Sequence, residues 1–262
     1  METIISSRTN ELINFAVKLQ QRKYRIQESK FWIESRHCVL AALQSQYILD
    51  HILISENFQI NENKQIIELA QNKNIKISYL KDFCFEKCST MKTPDGIGAI
   101  CQMPKLESCF NFQNECLVLC QLQDPGNLGT LIRSALALGC SDIVIVKPTV
   151  DVFATNCIRA SVGSLFKAHI AIEEENDVMQ WLINNKARVI GLDPQSTKKL
   201  WEAPLPKNPI ILAGNEPHGF SKQLKENFDF RMIPMANQIE SLNVSAATSI
   251  GIYELITRSS KL

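Results

Sequence analysis

Along roughly the first ninety residues, apolar positions alternate between helical spacing and short unbroken runs. Apolar residues recur every three or four positions from about Asn10 to Lys23, which predicts a helix; FWIES then reads as a strand and RHCVLAALQSQ as a second helix. DHILIS, KQIIELAQNK, IKISYL and KDFCFEKCS continue as strand, helix, strand and short helix. Such alternation suffices for a small α/β sandwich. The segment STMKTPDGIGAICQMPKLESCFNFQNE breaks it, because Thr93, Pro94, Asp95 and Gly96 are turn formers and the stretch from Asn111 to Glu115 is polar. A boundary is therefore expected near residue 90. It separates a first domain over 1–90 from a second over 115–262, with a linker over 91–114 whose IGAICQ forms a lead-in strand of the second domain.

In the second domain the runs lengthen. CLVLCQL, DIVIVK, RVIGLD, PIILAG and FRMIPM read as strands. Helical spacing falls between them, over 128–138, about 154–162, NDVMQWLINNK, SKQLKENF, and a last helix from about Val244 to Arg258. Near-continuous Val, Ile and Leu implies burial on both faces, hence an α/β domain with a mostly parallel sheet under helices. Ligands of such sheets sit beyond the carboxyl ends of the strands, so the turns there are the ones to read.

Three of those turns carry chemistry. In LVLCQLQDPGNLGTLIRSALALGC, Gly126 and Gly129 let the backbone pass close to a ligand, Asn127 is placed to cap the helix, and Arg133 stands alone among apolar residues. In ILAGNEPHGFS, a strand runs into Gly214 and a loop puts Glu216 just past its end, ahead of a helix capped by Ser221; His218 is assigned no role. In RMIPMANQIESLNVSAATSIGIYEL, the strand ends at Ile233 and Pro234, and Ser241, Leu242, Asn243, Val244 and Ser245 open an apolar helix. Serine and asparagine cap helices in any protein. Here two serines and one asparagine fall within five residues, where backbone N–H groups also point outward. The G-x-G-x-x-G spacing of a dinucleotide site is missing, and so is a phosphate-binding P-loop.

Composition narrows the class. With 262 residues, 45% hydrophobic and 21% charged, the chain has room for two ordinary globular domains. It has no apolar run of the roughly 18 residues that a membrane helix needs, and METIISSRTNEL has no basic region leading into an apolar one, so neither a membrane span nor a secretory signal is expected. Nine cysteines without a C-x-x-C pair are expected to be reduced packing residues in a cytoplasmic protein, and with four histidines that make no ligand spacing no metal is expected. A net charge of +1 excludes a polycation. Charge is nonetheless concentrated in KLQQRKYRIQESK, where Arg22, Lys23 and Arg25 surround Tyr24, either as a solvated helix face or as a phosphate-contacting patch with Tyr24 available for stacking.

Together the three turns closely resemble the ordered motifs of the SpoU/TrmH family of RNA 2′-O-ribose methyltransferases: DPGNLGTLIRSA the first, GNEPHGFS the second and IPMANQIESLNVSAA the third. VDVFATNCIRASVGSLFKAHI is similar to the stretch between the first two motifs, TPDGIGAI to the lead-in, and the N-terminal part to a substrate-binding domain related to certain ribosomal proteins. The resemblance implies an α/β knot in the C-terminal domain, S-adenosylmethionine held by backbone around Gly214, Ile233 and Leu242, and a homodimer. It also places Asn127, Arg133, Glu216, Ser241 and Asn243 at the catalytic and RNA-contacting positions. Two departures stand out. Asn237 replaces a common glycine in the third motif, and Ser35 replaces the glycine of an N-terminal Glu-Gly pair. Asparagine tolerates positive φ better than most residues.

The reaction so implied is attack of a ribose 2′-oxygen on the sulfonium methyl, with ribosomal RNA as the expected partner. Transfer RNA as the acceptor, an antibiotic-resistance methylation of ribosomal RNA and a non-catalytic RNA-binding protein of the same fold are the competing readings. A phosphate-binding α/β enzyme ranks below them.

Overall fold

The computed structural model describes residues 4–202, 205–214, 220–237 and 240–257. The chain divides into two compact units, one built from residues 1–105 and 151–167, the other from 106–150 and 168–262.

The first unit begins with α1 (Glu11–Lys18) and α2 (Arg22–Glu28), two helices where the apolar spacing predicts one. The break has a cause in Arg25. Its guanidinium donates to Leu19 O at 2.9 Å and Gln20 O at 2.7 Å, satisfying carbonyls past the end of α1 that a continuous helix would have paired. Next come β1 (Lys30–Glu34), α3 (Arg36–Leu43), β2 (Leu49–Ser55), α4 (Lys64–Asn72), β3 (Lys76–Leu80), α5 (Asp82–Cys88) and β4 (Ile97–Gln102). The sheet runs β1-β4-β2-β3, with β4 antiparallel to both neighbours and β2 parallel to β3. IGAICQ is thus a central strand of the N-terminal sheet rather than the first strand of the second domain. Its apolar run marks a strand, and only its pairing with β1 and β2 says in which sheet.

Trp32 on β1 lies over Gly98 on β4, where a Cβ would come within 2.2 Å of the indole. That face buries Trp32, Leu53 and Ile100 against Ile13, Ala16 and Leu19 of the α1 region and Phe85 of α5. Each leucine, isoleucine or phenylalanine among them contributes roughly 1.5–3 kcal/mol on burial. Residues 151–167 return to this unit with a helix, Thr155–Ser161 (α7 in chain order). Phe153 packs on Phe31 with ring centroids 4.8 Å apart, and Phe166 meets Tyr47 edge-on at 5.0 Å.

The second unit comprises β5 (Cys116–Cys120), α6 (Pro125–Ala137), β6 (Asp142–Val146), β7 (His169–Glu173), α8 (Glu175–Asn184), β8 (Val189–Leu192), β9 (Ile210–Gly214), α9 (Lys222–Asn227), β10 (Asp229–Arg231) and α10 (Val244–Ile252). A π-helical turn, Tyr253–Thr257, continues α10. The sheet is parallel throughout, in the order β10-β8-β9-β5-β6-β7. β7 is a sixth strand, beyond the five that the apolar runs predict. Val178, Trp181 and Leu182 of α8, with Phe220 and Phe228, cover one face. On α10, Gly251 sits where a Cβ would come within 2.6 Å of Leu192. The chain passes from β5 to β6 and β7 on one side, then returns to place β8 and β9 on the other. β5 and β9 therefore flank the topological switch point, where such sheets open a crevice.

Candidate functional site

At that switch point Cys120 and Gly214 are the last paired residues of β5 and β9. Gly214 has φ +111°, and a Cβ there would lie 2.2 Å from Cys120 O. Only glycine fits. The Cys120 thiol beside it is pushed up to about 12 by burial, so it stays protonated at neutral pH and is no nucleophile.

The chain leaves β5 through Gln121, at φ +50°, and enters α6. Asp124, not Asn127, caps this helix: its Oδ1 accepts from Asn127 N at 2.7 Å, and Pro125 opens the first turn. Displaced from capping, the Asn127 side chain turns to another element. Its Oδ1 accepts from Ser245 Oγ at 3.2 Å and from Asn243 Nδ2 at 3.4 Å. Asn243 in turn caps α10, accepting from Ser245 N at 2.9 Å. The first and third turns, more than a hundred residues apart, are thereby joined by three polar side chains at the start of two helices.

Arg133 lies farther along α6, whose Leu128, Leu131, Ile132 and Ala135 are buried. Thr130, Arg133 and Ala137 make the exposed stripe at three-to-four spacing. Among the described residues Arg133 makes no hydrogen bond or ion pair. Ser241 and Asn243 are exposed, Leu242 is 37% exposed, and Ile233 is half-buried just beyond β10. Asn237 adopts φ +56°, the left-handed conformation that its replacement of glycine requires. Glu216 and His218 lie outside the described residues.

These residues suit a sulfonium nucleoside. Gly214 presents backbone without a side chain at the end of β9, Ile233 and Leu242 offer apolar surface, and the start of α10 offers hydroxyl, amide and backbone donors. An adenine needs little more than apolar contact and backbone hydrogen bonds.

The basic run behaves differently from its expectation at one position. Arg22 and Lys23 are exposed, and Lys18 and Lys23 each place an ammonium 5.9 Å from the Tyr24 ring. Arg25 is 3% exposed and donates to Asp151 Oδ2 at 2.7 and 3.0 Å as well as to two carbonyls. It is a structural ion pair, not an RNA contact. Its burial was invisible because the partner is 126 positions away.

Residues 114–253 match the SpoU rRNA Methylase family and residues 10–99 the MRM3-like substrate binding domain. The chain is 31% identical over 254 residues to the 23S rRNA (guanosine(2553)-2′-O)-methyltransferase RlmP of Bacillus subtilis, covering 96% of this chain and 98% of that protein. A crystal structure of an RNA 2′-O ribose methyltransferase superposes with a TM-score of 0.86 at 27% identity, covering 99% of this chain and 100% of that one. An AdoMet-bound rRNA methyltransferase from Sinorhizobium meliloti shares the fold, with a TM-score of 0.87 at 23% identity over 98% of each chain.

Proposed function

The chain belongs to the SpoU rRNA methylase family, an RNA 2′-O-ribose methyltransferase by that membership, and from this premise we propose that it methylates a ribose of ribosomal RNA using S-adenosylmethionine. The observation that carries the reading is the Asn127–Asn243–Ser245 cluster, which ties the first motif to the third beside the switch point.

Gly214, Ile233 and Leu242 hold the cofactor, which supplies the activated methyl group. Asn127, Ser241 and Asn243 orient the acceptor, with Glu216 assigned there from its motif. The 2′-oxygen forms a bond to the methyl carbon as the carbon–sulfur bond breaks; the sulfur keeps the electron pair and the hydroxyl proton passes to solvent. Alignment at about 3 Å supplies much of the acceleration. Arg133 is not the base, because a guanidinium offers five N–H donors and no acceptor to take the proton. It stabilises the forming alkoxide. Arg22 and Lys23 add phosphate contacts, and the exposed Ile250 and Tyr253 of the last helix suit a homodimer interface. All nine cysteines are free thiols, and among the described residues no helix is long and apolar enough to cross a membrane; a cytoplasmic enzyme is the reading we adopt.

Mapping ribose methylation across all RNA of a deletion strain tests this. Loss of one methyl mark in ribosomal RNA, restored by the wild-type chain but not by Asn243→Ala, is expected. Loss of a transfer RNA mark alone would redirect the assignment, and no lost mark together with no calorimetric binding of S-adenosylmethionine would refute it.

A further inference from the structure

The first unit holds a cavity that the methyl-transfer site does not use. It has a volume of about 210 Å³ and lies between the start of α3 and the start of α4. Leu40 and Ile66 give it apolar wall, and Arg36, His37, Glu62 and Gln65 give it polar lining. Among the described residues none of those four polar side chains makes a hydrogen bond or ion pair. Asn63 also lines it, and its amide group is committed only through Nδ2, which donates to Gln59 O at 2.8 Å. Arg36, His37, Glu62 and Gln65 are exposed, so their polar groups are hydrated in the free protein and open to a ligand that enters the concavity.

A second observation concerns the backbone that leads into it. Ser35, directly before Arg36, has φ +85° and ψ +144°, a region that glycine occupies at little cost and serine does not. The residue is held there from three sides. Its hydroxyl accepts from Cys38 N at 3.4 Å, its N–H donates to Ile97 O at 3.2 Å, and the Asp95 carboxylate accepts from Arg36 N at 3.2 Å. The preceding Glu34 is buried and accepts from Ser89 Oγ, Thr90 N and Thr90 Oγ1, with Arg159 at 3.5 Å. The turn that delivers Arg36 and His37 is thus fixed by a buried network.

We propose that this cavity binds one unstacked base of the RNA substrate, a guanine, with the Glu62 carboxylate accepting from its Watson–Crick edge. The volume falls below the roughly 300–1,000 Å³ of drug-sized sites and suits one planar ring system. Sequence-specific RNA recognition takes splayed bases between apolar or guanidinium surfaces and reads their edges by hydrogen bonds. Guanine presents two adjacent donors, N1–H and the 2-amino group, which match the two oxygens of one carboxylate. Adenine and cytosine present a single amino group, and uracil a single imide N–H. Arg36 supplies the cationic side for the adjoining phosphate, which offsets the charge of Glu62, and His37 adds a ring nitrogen for a hydrogen bond. The inference rests on the reading that RNA is the substrate and deepens it.

Direct binding tests it in the full-length protein, by fluorescence anisotropy with a single-stranded oligouridine carrying one central guanosine and with its all-uridine twin. Wild type is expected to prefer the guanosine oligonucleotide by about tenfold, the size of one bidentate edge contact. Glu62→Gln should abolish that preference, while Arg36→Ala should weaken both oligonucleotides alike and flatten the salt dependence. Both positions are exposed, so circular dichroism should show unchanged folding. No preference in the wild type, or a preference that survives Glu62→Gln, overturns the proposal. Methyl transfer to total RNA in the same preparations separates the two levels. Methylation without guanosine preference sinks the pocket alone, and guanosine preference without methylation sinks the enzymatic reading.

Discussion

Arg25 and Arg133 are the same residue type put to opposite uses, one in each unit. Arg25 is buried, with its guanidinium divided between a carboxylate and two carbonyls of its own unit. Arg133 stands on the exposed stripe of α6 with no partner among the described residues. The contrast extends to their neighbours. In the first unit Glu34 is buried and fully hydrogen-bonded, whereas in the second Ser241 and Asn243 are exposed beyond the ends of the parallel strands. A charge that already has partners holds a fold together. A charge without them, standing on an exposed helix face, is free to meet a substrate, which is the role proposed for Arg133.

The sharpest way to break this contrast is to remove each arginine in turn. Arg133→Ala should lower kcat by about 10²–10³-fold, the usual cost of losing one donor to a developing oxyanion. Its unfolding free energy should stay within about 0.5 kcal/mol of wild type, as for other exposed positions. Arg133→Lys keeps the charge but loses the planar fork, and full turnover by that variant in a methyl-incorporation assay would refute the alkoxide role. Arg25→Ala is expected to do the reverse. Leaving the Asp151 carboxylate without its partner should cost about 3–5 kcal/mol in denaturant unfolding. Arg25→Met combined with Asp151→Leu should recover much of that loss. If Arg25→Ala instead weakened RNA binding at unchanged stability, the two arginines would not differ as claimed.

How far the sequence discloses such differences depends on the range of the interaction. Apolar spacing is local, and it located most helices and strands, including the strand that ends at Gly214. The three motif turns were readable because each combines a strand end with capping residues within a dozen positions. What escaped depends on distant partners. The division between α1 and α2 comes from Arg25, whose own burial depends on Asp151. β4 looks like any strand until β1 and β2 flank it. Asp124 and Asn127 are both competent caps by type, and the distance of 2.7 Å from Asp124 Oδ1 to Asn127 N decides between them, freeing the Asn127 side chain for Asn243 and Ser245.

A smaller effect sharpens the comparison through the backbone. The two departures from the motifs' common glycines, one in each unit, both have positive φ: Ser35 at +85° and Asn237 at +56°. The two angles differ in consequence. Ser35 combines its φ with ψ +144°, outside the left-handed helical basin, so Ser35→Gly should relieve about 1–3 kcal/mol of strain and lose only a few tenths for the cap. A net gain of about 1 kcal/mol in unfolding free energy is expected, with guanosine recognition unchanged if the buried Glu34 network alone fixes the turn.

Asn237→Gly should change least. Asparagine enters the left-handed basin more readily than other residues with a Cβ, because its short amide group bonds locally to the backbone. Glycine therefore gains little in the folded loop and adds freedom to the unfolded chain, which costs up to about 1 kcal/mol. The two substitutions, chemically alike, are thus expected to move stability in opposite directions. Calorimetric titration of S-adenosylmethionine adds the discriminating measurement. Affinity within about twofold of wild type, less than 0.5 kcal/mol by the usual arithmetic, would mean that the third-motif loop already holds the shape that glycine would permit. A larger gain in affinity would mean that the asparagine side chain obstructs the cofactor, so that the loop pays for its local hydrogen bonding at the site itself.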